Sequence, residues 1–109
     1  MAIADNAGTE IRYEVTGEGT PVVLLHGFPD SGKLWRHQVP ALTVAGYRVI
    51  VPDMRGYGRS ARPIEVGAYD IPHLVSDVRA VLADVGVTRA HVVGHDWGAA
   101  VAWVLASVA

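Results

Sequence analysis

The chain has 109 residues, half of them hydrophobic and 18% charged, with a net charge of −2. Such a composition describes one small globular domain and gives no reason to expect a nucleic acid or a membrane surface as partner. With no cysteine, disulfides, thiolate metal sites and cysteine nucleophiles are excluded.

In chain order, MAIADNAGTE lacks the basic and apolar regions of a signal peptide, which makes a cytoplasmic protein the default expectation. Ile11–Val15 alternates apolar and polar residues like a half-exposed strand, and Gly17 and Gly19 end it. Pro21–His26, Tyr47–Pro52 and Ala90–Gly94 are short, β-branched, apolar runs suited to parallel strands covered on both faces. Between them, Trp35–Ala45 reads as a helix ending at Gly46. Asp70–Val85 is a clearer one. Asp70 is its cap, Pro72 fits the first turn, Leu74, Val75, Val78, Val81, Leu82 and Val85 form one stripe, and Gly86 stops it. The alternation predicts an α/β fold: a mostly parallel sheet with helices on both faces. Arg55–Tyr69 is the longest loop. From Gly98 to Ala109 only Ser107 is polar, so this helix expects burial all round, yet the run is shorter than the ~18 residues a membrane span needs.

Three motifs fall at the predicted C-terminal ends of strands, where open α/β sheets place their sites. Gly94–Gly98 is G-x-D-x-G, a sharp strand-to-helix turn that presents Asp96 between small residues. His26–Pro29, HGFP, follows a strand at the place where a loop supplies a backbone N–H to an oxyanion hole. Asp53–Pro63, DMRGYGRSARP, is turn-rich. Asp96 also has a plainer reading as a helix cap. His26 and His95 read as structural, Asp53 and Arg55 as ties for the oxyanion-bearing loop, and Trp103 as packing. No group of residues has metal-ligand spacing, and neither HGFP nor GYGRS forms a phosphate-binding loop, so no metal or cofactor is expected.

The stretches HGFPDSGKLWRHQVPAL, YRVIVPDMRGYGRSARP and VVGHDWGAAVAW together resemble the α/β-hydrolase superfamily, and within it the epoxide hydrolases. The resemblance covers the family's N-terminal part, through the nucleophile elbow and the helix behind it. It implies that residues 1–109 are the N-terminal part of a core domain, an incomplete fold without the cap, the second acid and the general-base histidine. On that reading this is a truncated, inactive chain, with an open sheet edge available for association or for a complementary fragment.

The resemblance assigns Asp96 as nucleophile and the backbone N–H groups of Phe28 and Trp97 as oxyanion hole. An aspartate, ordinarily ionised above pH ~3.9, needs no base to attack a saturated carbon. It would form an alkyl ester that a histidine-activated water then hydrolyses to a diol. The small-molecule substrate is an epoxide or, alternatively, an alkyl halide, as in haloalkane dehalogenases. Many of those place an asparagine where this chain has Phe28, which favours the epoxide. Tyr13, Tyr47, Tyr57 and Tyr69 do not match the cap tyrosines of epoxide hydrolases. Trp35 is a weaker candidate, read either as lining a substrate pocket or as core. A non-catalytic remnant is the remaining alternative.

Overall fold

The computed structural model describes residues 2–27, 31–63 and 66–108. Its sheet has the order β1-β2-β4-β3-β5, with β1 at Ala2–Asn6, β2 at Thr9–Thr16, β3 at Thr20–Leu25, β4 at Tyr47–Pro52 and β5 at His91–Gly94. The predicted strands form, and the three apolar runs pair in parallel: Val22 lies opposite both Val49 and His91, and Leu25 opposite Gly94. β2 then joins β4 antiparallel, and β1 closes the edge as a hairpin partner of β2.

β1 has no counterpart among the expected strands. Its hairpin turns through two residues, Ala7 and Gly8, at φ 50° and 92°. That left-handed pair matches the twist of the flanking strands. The usual mark of such a turn is asparagine or aspartate before glycine, and here an alanine takes the place. Ala4, 1% exposed, is the side chain β1 buries.

Period-two alternation divides the core. Val22, Leu24 and Val49 face one side, where Val39 and Leu42 of α1, Gln38–Val44, cover them. Val23, Leu25 and Ile50 face the other. There they meet Val75, Val78 and Val81 of α2, Ile71–Val85, and Val101 and Leu105 of α3, Trp97–Val108. Each such burial contributes about 1.5–3 kcal/mol. α2 follows its sequence signals: the Asp70 carboxylate accepts the His73 N–H at 3.0 Å, and Gly86 ends the helix at φ 82°.

Two helices differ from expectation. In place of a helix over Trp35–Ala45, a 3-10 turn, Gly32–Trp35, ends at Trp35 and the short α1 begins only at Gln38. Pro40 has no N–H for the carbonyl four residues back, so an α-helix can hold it only in its first turn. α3 is buried on one face, not all round: Trp103, expected in packing, is 77% exposed. The helix is apolar on every side, but only the Val101–Leu105 face meets the sheet and α2. β5 is the outermost strand, and its Val93 is 43% exposed. No helix among the described residues is long and apolar enough to cross a membrane.

Candidate active site

The turn between β5 and α3 is built by close approach. The His95 N–H continues the ladder to the Leu25 carbonyl at 3.0 Å, and α3 starts from the Asp96 carbonyl, which accepts the Ala99 N–H at 2.9 Å. Asp96 sits at φ 58°, in the left-handed region, where a non-glycine residue stores strain. An aspartate that caps a helix is extended, as Asp70 is at φ −70° and ψ 163°. Asp96 therefore does not have the backbone of a cap.

Three glycines make this turn possible. A Cβ on Gly94 would lie 2.3 Å from the Gly98 carbonyl oxygen, and one on Gly98 would lie 2.2 Å from that of Leu25. A Cβ on Gly27 would meet the Cβ of Asp96 at 2.5 Å and its Oδ2 at 2.8 Å. The backbone after β3 thus lies directly against the Asp96 side chain. Spacing alone does not disclose that contact.

Beside the elbow opens a cleft of about 210 Å³ at the C-terminal ends of β3, β4 and β5. It is lined by Gly27, Trp97 and Gly98 from the elbow and its contact, and by Met54, Arg55 and Tyr57 of the loop after β4. Trp97 begins α3 with its side chain 57% exposed. Burial, then the neighbouring Tyr69, pushes the Tyr57 phenol above its ordinary range.

The loop after β4 is braced by charged residues. Asp53 accepts the Gly32 N–H at 2.7 Å through Oδ1 and the Arg59 N–H at 3.2 Å through Oδ2. Its carboxylate therefore ties the segment after HGFPDS to the DMRGYGRS loop, as expected. Arg55 grips Asp77 of α2 through two bonds, Nε to Oδ2 and Nη2 to Oδ1, both 2.6 Å. The bonds to Asp77 raise the guanidinium pKa above its usual value, against the opposing effect of burial. Asn6 donates to the same carboxylate at 2.8 Å, linking β1 to the arrangement. Sequence reasoning missed Asp77. The only signal was an acid at helical spacing from Leu74 and Val81, on an apolar face.

His26, 1% exposed, has both ring nitrogens committed. Nε2 accepts the Met54 N–H at 2.8 Å, and Nδ1 donates to the Gly27 carbonyl at 2.9 Å. His95 is exposed at the turn. Phe28 lies outside the described residues. Trp35 is brought together with none of these groups. It packs against Val22, Leu24 and Val49 on the opposite face of the sheet, its indole N–H buried without an acceptor, and does not line the cleft. Of its two readings, this placement is the core one. Among the described residues, no three His, Asp or Glu side chains are grouped to hold a metal ion.

Known proteins share this arrangement. A family model described as alpha/beta hydrolase fold matches residues 20–109. Epoxide hydrolase A of Mycobacterium tuberculosis is 53% identical over 103 residues, which are 93% of this chain and 32% of that protein. Epoxide hydrolase B of the same organism is 58% identical over 89 residues, 82% of this chain and 25% of that one. The solved structure of an epoxide hydrolase from an endophytic Streptomyces superimposes with a TM-score of 0.94 at 46% identity, over 98% of this chain and 32% of that one. The chain thus spans about a third of the length of the first of these relatives. From the elbow, the sheet order and these matches together, the chain belongs to the alpha/beta hydrolase fold family, where it resembles the epoxide hydrolases.

Proposed function

We propose that this chain carries the nucleophilic half of an epoxide-hydrolase-type site, with Asp96 as the attacking carboxylate. The observation that carries the reading is the strained, left-handed Asp96, set between Gly94 and Gly98 and against Gly27, with Gly27, Trp97 and Gly98 all lining the cleft. In the reaction, an Asp96 carboxylate oxygen forms a bond to one epoxide carbon as that carbon's bond to the ring oxygen breaks. The released alkoxide takes a proton from water or from a phenol, leaving a hydroxyalkyl ester on Asp96. Water then adds to the ester carbonyl as its proton passes to the hydroxide or phenolate left by the first step, and the oxyanion so formed is held by the backbone N–H groups of Phe28 and Trp97. Each such donor is worth on the order of 3 kcal/mol where one has been removed from an enzyme. Collapse of the adduct restores the carboxylate and frees a diol. His26 is not the base for that step, since both its nitrogens are held by backbone partners. The named function of the longer relatives, together with identities of 53% and 58%, supports the epoxide as substrate class.

The test is covalent. After exposure to styrene oxide, the chain is expected to gain the mass of one epoxide at Asp96, located by peptide mapping, and Asp96→Asn is expected to gain none there. An unaltered Asp96 after exhaustive exposure of the folded chain would remove the reading.

A further inference from the structure

We propose that His26 is a positioning residue for Asp96: as a neutral ring with its proton on Nδ1, it clamps the backbone after β3 against the elbow. The inference rests on the nucleophile reading above and adds a residue to it. The tautomer follows from partners that each have a single role. A peptide N–H can only donate, so the Met54 N–H at 2.8 Å requires a lone pair on Nε2. A carbonyl can only accept, so the Gly27 oxygen at 2.9 Å requires a proton on Nδ1. The edge of the Tyr57 ring, 5.6 Å away between centroids and at 84°, closes another side of the imidazole.

The consequence lies one residue further on. Gly27 is the residue with no room for a Cβ beside Asp96, so a shift of its backbone is a shift of the surface on which the carboxylate rests. The carbonyl of one residue and the N–H of the next lie in one rigid plane. The bond from Nδ1 therefore also holds the Gly27 Cα, which shares that plane with the carbonyl. Through Nε2, the same ring ties that residue to the loop after β4, which the Arg55–Asp77 pair anchors to α2. His26 touches no reacting atom. Its part is to transmit the rigidity of the sheet to the nucleophile.

Two near-isosteric changes separate the bonds. In His26→Asn the side-chain amide keeps a donor near the place of Nδ1 and gives up the acceptor for Met54. In His26→Gln the amide oxygen keeps the acceptor near the place of Nε2 and gives up the donor to Gly27. Second-order rates of styrene oxide addition to Asp96 are measured for the chain and both variants by peptide mapping, with thermal unfolding midpoints alongside. Imidazole nitrogen spectra of the unaltered chain assign the tautomer. The expected result is Nδ1 protonation, a Gln variant slower by about tenfold, the scale of one lost hydrogen bond, and an Asn variant slowed less, because it loses the tie to Met54 but keeps the bond to Gly27. The difference between the variants should persist where their unfolding midpoints agree. A proton found on Nε2, or a Gln variant as fast as the Asn variant, overturns the inference. If Asp96 in the unaltered chain never reacts, the nucleophile reading fails by itself. Amide shifts of Gly27 and Asp96 then decide the clamp: it stands if they move in the Gln variant and hold in the Asn variant, and falls otherwise.

Discussion

Arg55 and Asp77 form a two-bond ion pair from which water is almost entirely excluded, with side chains 4% and 1% exposed. Removing one partner strands the other charge in a site that cannot hydrate it. Asp77→Ala is therefore expected to cost about 3–5 kcal/mol of stability, measured by urea unfolding. The double change Arg55→Met, Asp77→Leu should recover most of that loss, because it strands no charge. A single variant within about 1 kcal/mol of the unaltered chain would show that water reaches the pair.

Gly98 and Gly67 make a matched test of close approach. A methyl on Gly98 would sit 2.2 Å from the Leu25 carbonyl oxygen and 2.7 Å from that of His26, whereas one on Gly67 would meet nothing within 4 Å. Gly98→Ala should destabilise by at least about 1–3 kcal/mol, the usual range for overpacking, and should displace Asp96 as α3 moves outward. Gly67→Ala should stay within about 0.5 kcal/mol. Equal unfolding midpoints for the two variants would contradict this geometry.

The cap of α2 gives an acid-side dependence. The His73 backbone N–H, then its ring, hold the Asp70 carboxyl below its ordinary pKa of 3.8. Its contribution is thus present above that value and fades as pH falls below it, when the folded chain must take up the proton. Asp70→Asn keeps a capping oxygen but cannot ionise. Its unfolding midpoint is expected to fall less steeply than that of the unaltered chain below about pH 4, and parallel slopes would show that the cap does not titrate with folding.

On the alkaline side the corresponding group is Tyr13. Burial, then its hydrogen bond to Asp84 and that residue's charge, push the phenol from 10.0 to about 12, with Arg48 acting in the other direction. The neutral form is favoured in the folded chain, so this stabilisation is complete below pH 10 and is lost as pH rises toward 12. Phenolate absorbance should show a late-ionising component shared by Tyr13 and Tyr57, and Tyr13→Phe should remove the part that accompanies unfolding near pH 12. A Tyr13 that ionises near 10 in the intact fold would count against the buried bond.

The parallel strands, α2 and the elbow were legible because each is specified locally, by β-branched runs, by a cap and a stop, and by glycines on either side of Asp96. The first hairpin was not, since an alanine occupies a left-handed turn position usually marked by asparagine or aspartate. Asp77 was hidden for another reason. A buried acid implies a buried partner, but which of the arginines reaches it is a property of the folded chain. Trp35 shows the limit from the other side. An aromatic at a helix start suits a pocket and a core equally, and only the sheet's alternation assigns it to the face away from the cleft. The exposure of Trp103 was equally invisible, because a helix apolar all round does not say which face will be covered.

The sheet order also sets what the turn at Asp96 depends on. β1 and β2 pair as neighbours in sequence, but β5 pairs with β3 across the whole span of β4 and α2. Contacts between distant segments must offset more loop-closure entropy than local ones. The left-handed backbone of Asp96 lies in the turn directly after β5, where Gly98 is seated against the Leu25 carbonyl of β3. The turn that presents Asp96 thus depends on the strand pairing that closes the longest stretch of chain, whereas the first hairpin closes the shortest.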